Sequence, residues 1–379
     1  MNYKEREAEK TIQRLLKAFP VVGVTGPRQS GKSTLLQHLL TDYTYVTFDD
    51  IRKIQLFEDD PIGFMDRYSR HVIFDEVQHV PKIFSAIKLL VDRDRQNYGN
   101  FVLTGSSQFS FLRSVSESLA GRIGLLSLLP FQFQEMPKAL AEDAIYRGSY
   151  PELVMKSYDE SDLWYASYID TYLNKDVRAL SQIGDMRDFR RFIQLLAGNI
   201  GQTFDQTHYA KALGVSVPTI KRWTLILEAS YIIFLIPPFY QNLGKRLVKR
   251  AKMYFYDTGL VSFLTGIKTF KQYDQGPLAG PLFENYIVSE IYKRELHKAS
   301  QGELFFFRTS DQSEVDLIID RKSSKEWIEI KKSSTFKPGM IRLLKAFSSG
   351  EDQATLIYQG ENDHYQNIKI ANYQTFLTS

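Results

Sequence analysis

Three sets of residues in this 379-residue sequence have the types and spacing that chemical sites require. The stretch GPRQSGKST occupies residues 26–34, and an acidic pair ends the apolar run HVIFDE. Near the C-terminus, two acidic residues and a lysine follow the spacing D-x12-E-x-K. The first two sets suit a bound triphosphate with its metal ion, and the third suits metal-assisted attack on a phosphodiester.

The stretch at 26–34 predicts a phosphate-binding loop. It fits the pattern G-x-x-x-x-G-K-[ST], shortly after the apolar run VVGV and before the helical pattern KSTLLQHLL. Because loop amides and a helix N-terminus favour an anion, we expect Lys32 to contact the terminal phosphates of ATP and Ser33 to ligate Mg²⁺. The alternative is a glycine-rich turn with an exposed lysine. The predicted ATP-binding residues are Gly26, Pro27, Arg28, Gln29, Ser30, Gly31, Lys32, Ser33 and Thr34.

The acidic pair predicts the second half of such a site. Asp75 follows an apolar strand pattern, which places it at the carboxyl edge of an open α/β sheet, where ligands bind. We expect Asp75 to hold Mg²⁺ and Glu76 to polarise the water that attacks the γ-phosphate. This acid–acid pair favours hydrolysis over transfer to another metabolite. The alternative is an ordinary exposed pair at a strand end.

Two further segments offer candidates for contact with the γ-phosphate. The run FVLTGSS ends in hydroxyls, of which Ser106 is preferred and Thr104 is second, although these residues could instead cap the following helix. Arg122, in ESLAGRIG, could reach a phosphate of its own or a neighbouring subunit, as an arginine finger does. The alternative for Arg122 is a surface arginine that precedes a strand.

Four ionisable residues form the third set. Glu284 lies in the helical pattern PLFENYIVSEIYKREL, and Asp316 lies in the strand pattern EVDLIID. Glu329 and Lys331 are two apart in WIEIKK, so they share one strand face. We expect Asp316 and Glu329 to hold Mg²⁺, Lys331 to orient or deprotonate the attacking water, and Glu284 to complete the shell through a water. The set resembles the PD-(D/E)XK nuclease superfamily; a degenerate recognition site and a plain salt-bridge cluster are the alternatives.

Residues 206–229 predict a helix-turn-helix, with a turn at Gly214 between two helical patterns. The β-rich runs YIIFLIPPF and NLGKRLVKRAKMYFY would form a wing, and a basic stretch without acids at 245–252 suits duplex phosphates. Winged helices also serve as packing modules, and basic runs are often solvated strand faces. The predicted DNA contacts are Lys221, Arg222, Lys245, Arg246, Lys249 and Arg250, and Lys252 belongs to the same basic run.

A series of motifs along nearly the whole chain resembles the bacterial and archaeal AAA-type ATPases whose core is fused to a C-terminal domain of uncharacterised function. The resemblance implies ATP binding and hydrolysis, and it implies no biological role. The motifs are GPRQSGKSTLL, IFDEVQ, LTGSS, SLAGR, GSYPEL, NLGKRLVK, MYFYDTGL, FENYIVSE, SEVDLII and IEIK.

Composition excludes several other classes of site. The chain has no cysteine, and its six histidines form no HxxxH-type pair, which leaves oxygen-ligated metals such as Mg²⁺. The net charge of +4 is small, so DNA contact requires local clustering of basic residues.

The charged N-terminus is unlike a secretory signal, and YIIFLIPPFY is too short for a membrane span. We expect a cytoplasmic protein without a membrane contact, for which a homo-oligomer is compatible with the sequence.

The pattern of helices and strands around these residues predicts an α/β fold. In the first third, short apolar runs alternate with helical patterns, as a parallel sheet covered by helices requires. Helical patterns follow, and residues 277–358 predict a helix, three strands, a helix and a strand. The expected organisation is an AAA-type P-loop core at 1–135, a helical linker at 136–204, a winged-helix-like domain at 205–262 and a nuclease-like α/β domain at 263–379.

These patterns favour an ATPase in which nucleotide state repositions the helical, winged-helix and C-terminal segments. The alternative is a DNA-bound switch that hydrolyses ATP slowly or not at all and carries a degenerate nuclease fold. A small-molecule kinase is disfavoured because no acceptor pocket is apparent and the acidic pair suits water as the acceptor.

Overall fold

The computed structural model describes residues 3–105, 108–173, 186–239, 250–300, 302–309, 313–348 and 352–379, with the backbone alone at 108–110, 172 and 173. Its N-terminal region is a five-stranded sheet in the order β2-β3-β4-β1-β5, in which every pairing is parallel. The strands are β1 (Val21–Thr25), β2 (Thr44–Thr47), β3 (Val72–Asp75), β4 (Phe101–Gly105) and β5 (Ile123–Ser127). The helices are α1 (Ala8–Ala18), α2 (Lys32–Leu39), α3 (Ile51–Asp59), α4 (Pro61–Arg67), α5 (Ile83–Arg93) and α6 (Gln108–Ser118).

Helices cover both faces of this sheet, because its central strands are apolar on both sides. Phe74 and Leu103 pack with α3 to α6, whereas the neighbouring residues Ile73 and Val102 pack with α1 and α2. This arrangement confirms the predicted α/β core. It also places the C-terminal ends of β1, β3 and β4 at one edge, where polar side chains can meet.

The middle region is mainly helical. Asp205 and Ser216 cap two consecutive helices by accepting hydrogen bonds from backbone N–H groups, and Ile220 and Trp223 are buried. Two antiparallel strands follow, β6 (Ile233–Ile236) and β7 (Lys252–Phe255). The helices are α7 (Ala144–Arg147), α8 (Pro151–Met155), α9 (Ser161–Ser167), α10 (Met186–Ala197), α11 (Gln206–Leu213) and α12 (Val217–Ala229).

The C-terminal region is a six-stranded mixed sheet with helices packed against it. Its order is β12-β13-β11-β10-β9-β8, and β10, β11 and β13 are mutually parallel. The strands are β8 (Glu303–Arg308), β9 (Glu314–Asp320), β10 (Lys325–Lys331), β11 (Gln353–Tyr358), β12 (Asp363–Tyr365) and β13 (Ile368–Asn372). The helices are α13 (Thr258–Thr265), α14 (Phe270–Gln275), α15 (Ala279–His297), α16 (Arg342–Phe347) and α17 (Tyr373–Thr378).

The middle and C-terminal regions share one hydrophobic core, which runs in sequence from Leu129 to Leu377. The segment after β6 also pairs with β8, since the Phe239 N–H donates to the Phe306 carbonyl at 2.7 Å. The two regions are therefore packed together through buried side chains. None of the helices in the described ranges is long and apolar enough to cross a membrane.

Candidate functional site

The loop between β1 and α2 has a backbone shape that requires glycine. Gly26 has a φ of 142°, and a Cβ atom there would lie 2.1 Å from the Leu128 carbonyl oxygen. Gly31 has a φ of 91° and directly precedes α2. These conformations strain residues other than glycine, so the two glycines of the motif fix the curve of the loop.

Lys32 lies inside this curve. It is 5% exposed, and its Nζ donates to the carbonyls of Gly26 at 3.0 Å and Pro27 at 2.9 Å. Burial lowers the Lys32 pKa to about 8, although the carboxylates of Glu76 and Asp75 oppose the shift. A phosphate bound at the loop would add negative charge and favour the charged ammonium.

Asp75, at the end of β3, is held by neutral hydroxyl groups from three other elements. The Ser33 Oγ lies 3.1 and 3.0 Å from the two carboxylate oxygens, and the hydroxyls of Tyr45 and Thr104 also donate to this carboxylate. The predicted Mg²⁺ ligands Ser33 and Asp75 are thus adjacent. Tyr45, at β2, is a contact that sequence reasoning missed.

Glu76 follows Asp75 in a left-handed conformation, with a φ of 56°. Its backbone N–H donates to the Thr104 Oγ1 at 3.2 Å, and its carboxylate accepts a hydrogen bond from the Gln78 side chain. Non-glycine residues in this conformation are strained and occur preferentially at functional sites. Thr104, the second choice in the sequence, therefore contacts both acids, whereas Ser106 lies outside the described residues.

Two cavities adjoin the phosphate loop and share some of its residues. One measures about 340 Å³ and is polar, with His79 Nε2 lying 3.6 Å from Asp49 Oδ1; the other measures about 380 Å³ and includes apolar residues of α8. The polar cavity is lined by Arg28, Gln29, Gly31, Lys32, Ser33, Thr34, Asp49, Glu76 and His79. The second cavity is lined by Tyr3, Lys4, Arg6, Gln29, Gly31, Thr34, Leu35, Phe131, Pro151, Glu152 and Met155.

Arg6 joins the N-terminal segment to the phosphate loop. Its guanidinium donates to the Ser30 carbonyl at 2.9 Å and to the Leu129 carbonyl at 2.7 Å, and it forms a buried ion pair with Glu135 at 3.0 Å. Sequence reasoning missed Arg6 because the residues that it bonds lie 24 and more than 100 positions away. No local pattern signals such a contact.

Arg122 lies at the N-terminal ends of the parallel strands, whereas the phosphate loop lies at their C-terminal ends. It precedes β5, whose first residue pairs with Val21 at the start of β1, and its guanidinium forms two hydrogen bonds with Asp92 at 2.8 and 3.0 Å. The prediction that Arg122 contacts a phosphate of its own subunit is therefore wrong, because the loop follows the other end of β1. Contact with a neighbouring subunit stays a prediction.

The C-terminal ionisable residues meet at the junction of β7, α15, β9 and β10. Lys331 Nζ lies 2.5 Å from Glu329 Oε1 and 3.5 Å from Asp316 Oδ2, which also accepts the Ile330 N–H at 2.8 Å. Glu284 instead accepts hydrogen bonds from Lys252 and from the Tyr254 hydroxyl, each at 2.8 Å. The structure thus unites three of the predicted residues, whereas the fourth, Glu284, pairs with Lys252, which also bonds Glu314 of β9.

Burial and neighbouring charges shift the pKa values of the residues in this cluster. Burial, followed by the Asp316 charge, raises the Glu329 pKa to about 8. Burial alone would lower the Lys331 pKa, but the carboxylates of Asp316 and Glu329 raise it overall. In the described part of the chain, no three carboxylates or histidines surround one point closely enough to hold a metal ion. An ion between Asp316 and Glu329 would therefore take its remaining ligands from water, as Mg²⁺ commonly does.

The predicted DNA contacts have different surroundings. Lys221 and Arg222 are exposed on α12, whereas Arg250 pairs with Asp205 at 2.7 Å. Lys252 is 2% exposed and bonded to acids, so its inclusion in a DNA-facing basic run was wrong. Three further predicted residues, Lys245, Arg246 and Lys249, lie outside the described residues.

Comparisons with known proteins agree with the N-terminal geometry. Residues 18–137 match the family described as AAA domain, whereas residues 138–271 and 279–376 match two domains of unknown function, DUF8612 and DUF4143. The chain is 29% identical to the uncharacterized protein Rv2008c of Mycobacterium tuberculosis over 366 residues, which cover 96% of this chain and 81% of that protein. It is 22% identical to the uncharacterized protein MJ1544 of Methanocaldococcus jannaschii over 344 residues, 81% of this chain and 73% of that protein.

Among solved structures, the Walker-type ATPase PABY2304 of Pyrococcus abyssi aligns with a TM-score of 0.47 and 14% identity, covering 70% of this chain and 98% of that chain. The AAA domain match includes the phosphate loop and Asp75. Residues 18–137 therefore resemble an AAA domain in sequence, and their P-loop ATPase-like fold supports ATP binding. The other two matched families have no assigned function, so the nuclease-like and DNA-binding features stay predictions.

Proposed function

We propose that this protein binds ATP with Mg²⁺ at the phosphate loop and hydrolyses it. The observation that carries the proposal is the contact of Ser33 with Asp75 at 3.0 to 3.1 Å, beside a polar cavity that Lys32 also lines. A hydroxyl and a carboxylate at this spacing are the oxygen ligands that Mg²⁺ needs, and the ion would neutralise charge on the phosphates.

The two cavities suit the two ends of a nucleotide. The polar cavity contains Lys32 and Ser33 and suits the triphosphate, whereas the neighbouring cavity offers Leu35, Phe131 and Met155 to the base. Bound ATP would lie across the shared loop residues. In this pose it would contact both the AAA-type domain and α8 of the middle region.

Glu76 is the residue that we assign to the hydrolytic step. Its carboxylate lines the polar cavity with Lys32, and Thr104 fixes its strained backbone through the Glu76 N–H. From this position it would orient a water for attack on the γ-phosphate and accept a proton from it.

A buried polar network supports coupling between the nucleotide and the C-terminal region. Three residues of α15 contact the segment that follows β5: Glu290 accepts the Phe133 N–H at 2.7 Å, Lys293 donates to the Phe131 carbonyl at 3.2 Å, and His297 accepts the Leu129 N–H at 2.9 Å. Arg6 connects the same segment to the phosphate loop. Because α15 also carries Glu284, nucleotide state would bias the C-terminal cluster.

We further propose that the middle helices form a winged helix that contacts DNA, and that Asp316 and Glu329 hold Mg²⁺ for phosphodiester chemistry. Exposed Lys221 and Arg222 support the first part, and the union of Asp316, Glu329 and Lys331 supports the second. One observation favours a second candidate, an ATP-dependent DNA-binding switch without cleavage: the Lys331 ammonium already pairs with both of these acids.

A phosphate-release assay with and without duplex DNA tests the ATPase. We expect Lys32→Ala to lower turnover by about 10² to 10³ because it removes a charge that stabilises the transition state. Glu76→Gln should abolish turnover while ATP still binds, and Lys17→Ala, which changes an exposed lysine of α1, should match the wild type. Equal turnover in wild type and Glu76→Gln would reject hydrolysis and leave the switch. Plasmid nicking with Mg²⁺ or Mn²⁺ in the same preparations tests cleavage.

A further inference from the structure

Lys252 is a buried cation of the C-terminal cluster, although it lies on β7 in the middle region. Its Nζ donates to Glu284 Oε1 at 2.8 Å and to Glu314 Oε1 at 2.7 Å. The side chain is 2% exposed, and the rings of Tyr254 and Phe306 lie 5.6 and 5.9 Å from Nζ. An ammonium in this position is enclosed by its partners and is almost entirely shielded from solvent.

Two lysines divide the acids of the cluster between them. Lys252 pairs with Glu284 and Glu314, and Lys331 pairs with Asp316 and Glu329. The two halves differ in the exposure of their lysines, since the Lys331 side chain is 39% exposed and the Lys252 side chain is 2% exposed. They also differ in how fully their carboxylates are hydrogen-bonded. Among the described residues, Glu329 Oε2 is a buried carboxylate oxygen that has no hydrogen-bond partner.

An unpaired buried carboxylate oxygen is costly, and a divalent cation would satisfy it. Lys331 can move toward solvent to admit such an ion between Asp316 and Glu329. The half formed by Glu284 and Glu314 offers no such vacancy, since the ammonium of Lys252 already occupies the point between the two carboxylates.

We propose that Lys252 is a fixed internal cation that stands in place of a second divalent ion, so that the C-terminal cluster binds one divalent cation, at Asp316 and Glu329. This inference rests on the proposed function in taking the cluster as the Mg²⁺ site of a phosphodiester reaction. It implies chemistry with a single metal ion, in which Lys252 holds Glu284 in place through its hydrogen bond, rather than a pair of ions that share the carboxylates.

Counting Mn²⁺ ions bound to the nucleotide-free full-length protein, by the electron paramagnetic resonance signal of free Mn²⁺, tests the proposal. Any ion held elsewhere cancels when variants are compared with the wild type. We expect Glu329→Gln to lose one ion per chain and Glu284→Gln to keep the wild-type count. Loss of an ion in Glu284→Gln, loss of two ions in Glu329→Gln, or no loss in Glu329→Gln would overturn the proposal.

Lys252→Met provides a second test. It vacates the point between Glu284 and Glu314, so we expect one additional Mn²⁺, which the double variant Lys252→Met/Glu284→Gln should lose. The control Lys369→Met, which changes an exposed lysine of β13, should keep the wild-type count. An unchanged count in folded Lys252→Met would contradict the proposal, and the two glutamate variants decide it if Lys252→Met does not fold. Absence of plasmid nicking with the expected counts would reject the phosphodiester function and leave this inference supported.

Discussion

The two acidic sites of this protein satisfy their carboxylates in opposite ways. Asp75 accepts hydrogen bonds from three neutral hydroxyls, those of Ser33, Tyr45 and Thr104. In the C-terminal cluster, Lys252 and Lys331 supply full positive charges to the carboxylates. Hydroxyl donors fix a carboxylate and leave its charge in place, whereas an ammonium cancels that charge.

The difference indicates where each site obtains its cation. At the N-terminal site, the proposed Mg²⁺ would supply the positive charge that the hydroxyls do not, so we expect the metal and the nucleotide to bind together. The C-terminal cluster carries cations of its own, one of them buried, so its charge balance depends on the fold. Variants that remove one donor at a time test this contrast.

The largest expected effect comes from the buried lysine. Lys252→Met removes a buried ammonium and leaves the partly buried carboxylates of Glu284 and Glu314 without their cation, so we expect the free energy of unfolding in EDTA to fall by about 3 to 5 kcal/mol. Lys331→Met removes a partly exposed ammonium whose place water can reach, so we expect a smaller loss, of about 1 to 3 kcal/mol. Urea denaturation of both variants measures the difference. Equal losses would show that burial does not separate the two lysines.

A smaller effect is expected at the N-terminal site. Thr104→Val keeps the shape of the side chain but removes the hydroxyl that bonds Asp75 and accepts the Glu76 N–H. We expect a loss of about 1 to 3 kcal/mol in stability and a lower kcat for phosphate release with little change in KM, because Glu76 is no longer held in place. Thr104→Ser restores a hydroxyl and should recover most of both quantities. A Thr104→Val enzyme with wild-type kcat would show that this hydroxyl does not position Glu76.

The smallest expected effect is a pH dependence at the contact between the two regions. Burial lowers the His297 pKa well below its usual value, and the charges of Arg6 and Lys293 lower it further. His297 of the unfolded chain therefore binds a proton near pH 6.5, whereas His297 of the folded chain stays neutral at that pH. The resulting stability is present above that pH and is lost as the pH falls, by about 1.4 kcal/mol per pH unit.

Urea denaturation at pH 6.5 and 5.5 measures this contribution of His297. We expect His297→Gln to remove that part of the slope, whereas His208→Gln, which changes an exposed histidine, should keep the wild-type slope. A His297→Gln slope equal to that of the wild type would contradict the assignment of a neutral, buried imidazole.

The sequence predicted the elements around the N-terminal site because local patterns determine them, and the role of the site itself stays a prediction. The glycines of the loop and the run before Asp75 each act on residues next to them in the chain. Parallel strands then bring Ser33, Asp75 and Thr104 to one edge without further information. The α/β core was predicted for the same reason, since alternating short apolar runs and helices allow few other arrangements.

Contacts between distant segments could not be predicted in this way. Lys252 was counted with a basic run, but its partners lie 32 and 62 residues away and only the packing of β7 against α15 and β9 reveals them. Arg6 was missed because it bonds residues far along the chain. The short strand β12 was missed because it has three mostly exposed polar residues and no apolar pattern.

Calorimetric titration of the full-length protein with ATP, with and without Mg²⁺, tests the central claim most directly. We predict one nucleotide per chain, tighter binding and a higher unfolding temperature with Mg²⁺, and loss of the Mg²⁺ effect in Ser33→Ala. Absence of binding heat and of thermal stabilisation in the wild type with Mg²⁺ would contradict the account of the phosphate loop and of every function built on it.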